Sequence, residues 1–122
     1  MTVEELIKDA QAADSVKDFK ESFRLYKEAA EIGNVYAIQE IGSMYLLGRG
    51  VDKNLNESFK WIKKAAEKGL PVSMAMLAKF YEVGIGTTPD INEALKWYVE
   101  AAMQAKNMHN NAFRNFLKIE GR

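Results

Sequence analysis

The sequence predicts an all-α protein, a solenoid of stacked antiparallel helical hairpins, and three observations carry that expectation. First, the chain matches itself when displaced by thirty-six residues. Glu21, Phe23, Ala29, Ala30, Gly33, Tyr45, Gly48 and Gly50 recur as Glu57, Phe59, Ala65, Ala66, Gly69, Tyr81, Gly84 and Gly86. Residues 21–56 and 57–92 agree at twelve of thirty-six positions, against roughly two by chance, and such a period marks a stacked repeat. Second, apolar residues recur at three- and four-residue steps, as in Ala37, Ile38, Ile41, Gly42 and Tyr45, the stripe of an amphipathic helix. Third, a capping residue stands three before a glutamate in each unit: Asp18 with Glu21, Asn54 with Glu57, Asp90 with Glu93.

The elements follow in order. Residues 2–17 read as a helix on Leu6, Ala10 and Ala13, with no Gly-x-Gly loop before Asp18. With the helix after Asp18 they make a shortened first repeat, residues 2–33. The second repeat, residues 35–69, holds a helix from Ala37 to Tyr45, stopped at Gly48-Arg49-Gly50 because glycine takes the left-handed conformation at a helix end. Its partner begins at Asn54 and runs through Trp61 and Ala65-Ala66 to Gly69. The third repeat, residues 71–106, copies this pattern through Ser73, Tyr81, Gly84, Gly86, Trp97 and Ala101-Ala102, with Ala105 in the place of Gly33 and Gly69. Residues 108–118 read as a capping helix that packs Phe113, Phe116 and Leu117 onto the third repeat. There His109 replaces the small Ala37 and Ser73, and Arg114 replaces Gly42 and Ala78. Ile119-Glu120-Gly121-Arg122 reads equally as a native tail or as a protease recognition sequence of the kind appended to recombinant proteins.

Composition narrows the function classes. A chain of 122 residues makes one domain with room for a continuous core. Seventeen basic residues balance seventeen acidic ones, so the basic excess expected of a nucleic-acid binder is missing and no nucleic-acid partner is expected. Lys60, Lys63, Lys64 and Lys68, beside Glu57 and Glu67, read as a solvated helix face. With no cysteine there is neither a disulfide framework nor a thiolate nucleophile. The first residues lack an apolar signal core and no stretch reaches about twenty apolar residues. The expectation is a cytoplasmic protein without membrane insertion, although a domain cut from a secreted or periplasmic parent would read the same. A monomer is expected.

Catalysis is not expected. His109 is the only histidine and stands beside Asn110 and Asn111, where it reads as part of a helix start rather than as a base or ligand. A metal site needs several convergent ligands, and no second histidine or cysteine exists to supply them. The acidic residues sit mostly at caps. Met44, Met74 and Met76 read as core fillers, not as a cofactor box. No cofactor is expected.

Two stretches carry a family resemblance. Ala37-x-x-x-Ile41-Gly42-x-x-Tyr45-x-x-Gly48-x-Gly50-Val51, followed by Trp61 and Ala65-Ala66-x-x-Gly69, resembles the Sel-1-like repeat, a relative of the tetratricopeptide repeat marked by its two-glycine loop. Ser73-x-x-x-Leu77-Ala78-x-x-Tyr81-x-x-Gly84-x-Gly86 with Ala94, Trp97 and Ala101-Ala102 is a second copy. The resemblance covers about residues 21–106 and implies a right-handed, tetratricopeptide-like superhelix whose first helices line the concave side. It implies an adaptor that binds a protein or peptide there, alternatively an inhibitor or immunity-type protein that occludes a toxin or enzyme. On that face the candidate contact residues are Tyr36, Gln39, Ser43, Leu46 and Leu47, then Val72, Ala75, Lys79 and Glu82. Each reads equally well as packing within its own hairpin.

Overall fold

A computed structural model describes the backbone of residues 1–119 and the side chains of residues 1–107. Six helices follow one another: α1 (Val3–Ser15), α2 (Phe19–Ile32), α3 (Val35–Leu47), α4 (Leu55–Glu67), α5 (Pro71–Val83) and α6 (Ile91–Ile119). No strand occurs among the described residues. Each helix packs chiefly on its predecessor and its successor, so the hairpins α1–α2, α3–α4 and α5–α6 stack side by side. This is the helical solenoid that the thirty-six-residue period predicts.

The core forms where the apolar stripes meet. Leu6, Leu25, Tyr26, Ile38 and Ile41 fill the first half, and Ile62, Met74, Leu77 and Phe80 fill the second. Burying each large side chain stabilises the fold by about 1.5–3 kcal/mol. Small residues set how closely helices approach. A Cβ on Gly42 would stand 2.5 Å from the Ile62 side chain, and the buried Ser58 hydroxyl donates to the Gly42 carbonyl at 2.7 Å. In the third repeat the buried Ser73, which stands where the second repeat has Ala37, carries a hydroxyl that finds no partner. An aromatic pair also recurs with the period. Phe23 meets Tyr45 edge-on at 5.6 Å between ring centres, and Phe59 meets Tyr81 at 5.3 Å.

The second glycine of each loop is the clearest structural reason for the repeat. Gly50 and Gly86 lie at φ 72° and 68°, a region that favours glycine. Each also rests on the preceding hairpin. A Cβ on Gly50 would collide with the Phe19 carbonyl, and one on Gly86 with the Leu55 carbonyl. Phe19 and Leu55 are themselves thirty-six residues apart, so the loop of one hairpin sits on the first turn of the helix before it. The Arg49 guanidinium lies 5.1 Å from the centre of the Phe19 ring and closes the same seat.

Two expectations are corrected. The side chains of Asp18, Asn54 and Asp90 accept from the N–H of Glu21, Glu57 and Glu93, as their spacing predicts. The reciprocal half of the capping box is absent there, because each cap N–H is already donated to a carbonyl across the turn: Ala13, Tyr45 and Tyr81 respectively. A complete box forms instead at Thr2 and Glu5. The second correction concerns the end of the chain. The segment expected to be a separate capping helix over residues 108–118 is a continuation of α6, which runs unbroken from Ile91 to Ile119. Gly33 and Gly69 turn the chain at φ 107° and 97°, and Ala105 in their place does not. The packing expected of Phe113, Phe116 and Leu117 lies outside the described side chains, as do His109 and Arg114.

Candidate functional site

The first helices of the three hairpins, α1, α3 and α5, present one phase of residues that the core does not absorb. On α3 that phase contains Tyr36, Gln39, Ser43 and Leu47; on α5 it contains Val72, Ala75, Lys79 and Glu82. Tyr36, Leu47, Val72, Ala75, Lys79 and Glu82 are exposed, whereas Gln39, Ser43 and Leu46 are half-buried. The period relates the two sets, since Val72, Ala75 and Lys79 stand thirty-six residues after Tyr36, Gln39 and Ser43, and Glu82 stands thirty-six after Leu46.

The structure ties several of these side chains down. The Gln39 amide donates to the Ser43 hydroxyl at 3.1 Å and reaches the Met76 sulfur at 3.5 Å, which links α3 to α5. Leu46 packs against the second half of the core. Lys79 pairs with Glu82 at 3.6 Å, and Glu82 accepts from the Tyr98 hydroxyl of α6 at 2.8 Å. Lys79 and Glu82 thus satisfy each other first. Tyr36, Leu47, Val72 and Ala75 remain the open apolar contributions.

Tyr36 is held in a defined pose. Its ring meets Tyr26 at 6.1 Å and 69°, and the buried Tyr26 hydroxyl donates to Asp14 of α1 at 3.1 Å. Burial pushes the Tyr26 phenol far above its usual range, and neighbouring Tyr36 and Asp14 add to this. Glu40 stands close by. Burial raises its carboxyl first and the Asp14 charge raises it further, while a hydrogen bond from Tyr36 draws it back. A groove of about 330 Å³ opens beside Tyr36, walled by Val3, Glu4, Ile7, Lys8 and Gln11 of α1 with Asn34. A smaller cleft of about 50 Å³ lies at the other end of the same helix pair, between Asp14, Glu40, Ser43, Met44, Leu47 and Arg49.

The contribution of α1 is missing from the sequence-based set of residues. Its register is thirty-two rather than thirty-six, because the first connection is shorter: Ala10 aligns with Gly42, so Glu4, Ile7 and Gln11 align with Tyr36, Gln39 and Ser43. The short Ala10-to-Ser22 spacing carried that signal. Among the described residues no three of His, Cys, Asp or Glu converge on one point as a metal site would require. Nor is any described helix long and apolar enough to cross a membrane.

Three consecutive segments, residues 11–34, 35–70 and 71–106, match the Sel1 repeat. The chain belongs to the Sel1-repeat family. Solved structures agree with the repeat match. A Sel1 repeat protein from Oxalobacter formigenes aligns at TM-score 0.76 and 35% identity, over 80% of this chain and 40% of that one. The protein c5321, described as a protective antigen of uropathogenic Escherichia coli with an SLR fold, aligns at TM-score 0.68 and 38% identity, over 70% and 18%. Cysteine rich protein B of Helicobacter pylori shares the fold at TM-score 0.67 and 16% identity, over 84% and 87%. The chain thus spans less than half the length of the first two. No curated protein matches it. Sel1 repeats are generally non-catalytic scaffolds for protein–protein interaction.

Proposed function

We propose that this Sel1-repeat chain binds a partner protein through an extended peptide or single helix laid along the face of α1, α3 and α5, its concave side. The observation that carries this reading is the Tyr36 site. An exposed aromatic ring is braced by Tyr26, which is itself anchored to Asp14, and it borders a groove walled by Ile7 and Val3. A pre-set aromatic anchor beside an apolar groove loses little side-chain freedom on binding, and such residues dominate interface energetics. Leu47, Val72 and Ala75 extend the apolar strip toward the next hairpin. Gln39 and Ser43 lie between them as a satisfied polar step.

The test is capture of partners from native cells with the wild-type chain and with Tyr36→Ala and Val72→Glu variants. Both positions are exposed, so the variants should keep the wild-type helical signal while losing at least one partner. Retention of every partner by both would move the binding face elsewhere.

A further inference from the structure

A run of open apolar residues lies outside the proposed binding face, on α6. Ile91, Leu95, Tyr98, Val99 and Met103 are all exposed, with Leu95 at 63% and Val99 at 51%. Earlier hairpins show what normally covers such positions. Thirty-six and seventy-two residues before Leu95 stand Phe59 and Phe23, packed edge-on against Tyr81 of α5 and Tyr45 of α3. Before Tyr98 stand Ile62 and Tyr26, at 0% and 1% exposure. On α2 and α4 this face is therefore roofed by the first helix of the next hairpin, and on α6 it is bare.

The sequence that would form that roof is present. Residues 107–119 stand one period after α5, with Phe113 in the place of Leu77, Phe116 in that of Phe80 and Leu117 in that of Tyr81. It does not turn back onto its own α6 as α5 turns onto α4: Ala105 replaces the left-handed glycine and the helix runs on through it. At 29 residues α6 is about 43 Å long, and within one molecule its first half, residues 91–103, keeps this apolar face open. Two further facts choose between covers. The positions of α1 that match Ala37 and Ile41 are Glu5 and Asp9, both exposed, so α1 of another molecule cannot serve without burying two carboxylates. The apolar face also widens at Val99 and Met103, where α2 and α4 carry Lys27, Lys63, Glu31 and Glu67. One more hairpin in register would leave Val99 and Met103 in water, as those charged residues are.

We propose that two copies of the chain pair by exchanging the ends of α6, residues 107–119 of each lying antiparallel along residues 91–103 of the other. A hinge that stays straight is the usual route to such an exchange. The register is fixed by the earlier hairpins: Leu95 of one copy meets Leu117 of the second, as Phe59 meets Tyr81. Both halves of α6 are then covered, and the two-fold pairing uses the same pair of segments from each copy.

The absence of native cysteine makes a direct test simple. A Leu95→Cys/Leu117→Cys variant is treated with a short bismaleimide and resolved by denaturing electrophoresis, beside a Leu95→Cys/Asn115→Cys control whose second site lies on the far side of the helix. A covalent dimer in the first variant and little in the control is the expected result. A cross-linked monomer, no cross-link, or equal dimer in both would overturn the proposal. Sedimentation provides an independent reading on the unlinked chain. The wild type should associate in the micromolar range, and Leu95→Glu should weaken that association at least about tenfold with unchanged helicity. A wild type that stays monomeric throughout that range also overturns it.

Discussion

Gly50 and Gly33 both adopt positive φ, yet they answer to different constraints. Space around Gly33 is open, whereas a Cβ at Gly50 would enter the Phe19 carbonyl. Gly33→Ala should therefore cost only the left-handed penalty of about 1 kcal/mol. Gly50→Ala should cost about 3 kcal/mol or more, since the loop must leave its seat as well. Urea denaturation of the two variants checks the difference, and equal losses would remove the seat from the account. Ser73 offers the opposite sign. Its hydroxyl is buried without a partner where the preceding unit has Ala37, so Ser73→Ala should gain about 1 kcal/mol in the same assay. Glu40 yields a pH dependence. Its carboxyl is raised in the fold, so the native state holds that proton more tightly than the unfolded chain does. Stability at this site is fully present below the unfolded-state pKa and is lost as pH rises from there through the raised value. Glu40→Gln should thus raise the melting midpoint near pH 7 and confer no advantage at about pH 3, where the unfolded carboxyl is protonated too. A gain that persisted unchanged in acid would point to packing rather than charge.

Among elements, the caps separate what is local from what is not. Asn54 reaches the Glu57 N–H from three residues away, so that bond is legible in the sequence, and Asn54→Ala should cost about 1 kcal/mol. The N–H of Asn54 goes to Tyr45, whose position depends on how the Gly-x-Gly loop closes, and no three-residue spacing reveals that. Glu57→Ala should therefore cost less than about 0.5 kcal/mol, a ranking that thermal melts of the pair will test. The same division runs through the candidate site. Helical phase was enough to find Tyr36, Leu47, Val72 and Ala75 as outward residues. It could not show that Gln39 reaches Met76 or that Glu82 is taken by Tyr98, because those contacts are made between helices. The α1 wall escapes a thirty-six-residue comparison because its register is thirty-two. The sequence shows Ala105 in the place of a glycine, but only the backbone shows that the helix then continues.

At the scale of the molecule, stability is carried by neighbour-to-neighbour seams rather than by one central core. A lesion at one seam should stay there. Gly86→Ala, which lifts the second loop off Leu55, should speed amide hydrogen exchange in α5 and α6 while α1, α2 and most of α3 keep their protection. Uniform acceleration along the chain would mean that the hairpins share one cooperative unit after all. The loop seat carries a last implication. Its tightest contact is with a main-chain oxygen, which Phe19 and Leu55 supply alike, so that contact does not depend on which of the two side chains stands there. Such a joint can be copied. A chain in which residues 57–92 are written twice should grow by one hairpin and keep its pitch, a ruler whose length is set by how many times the same mark is struck.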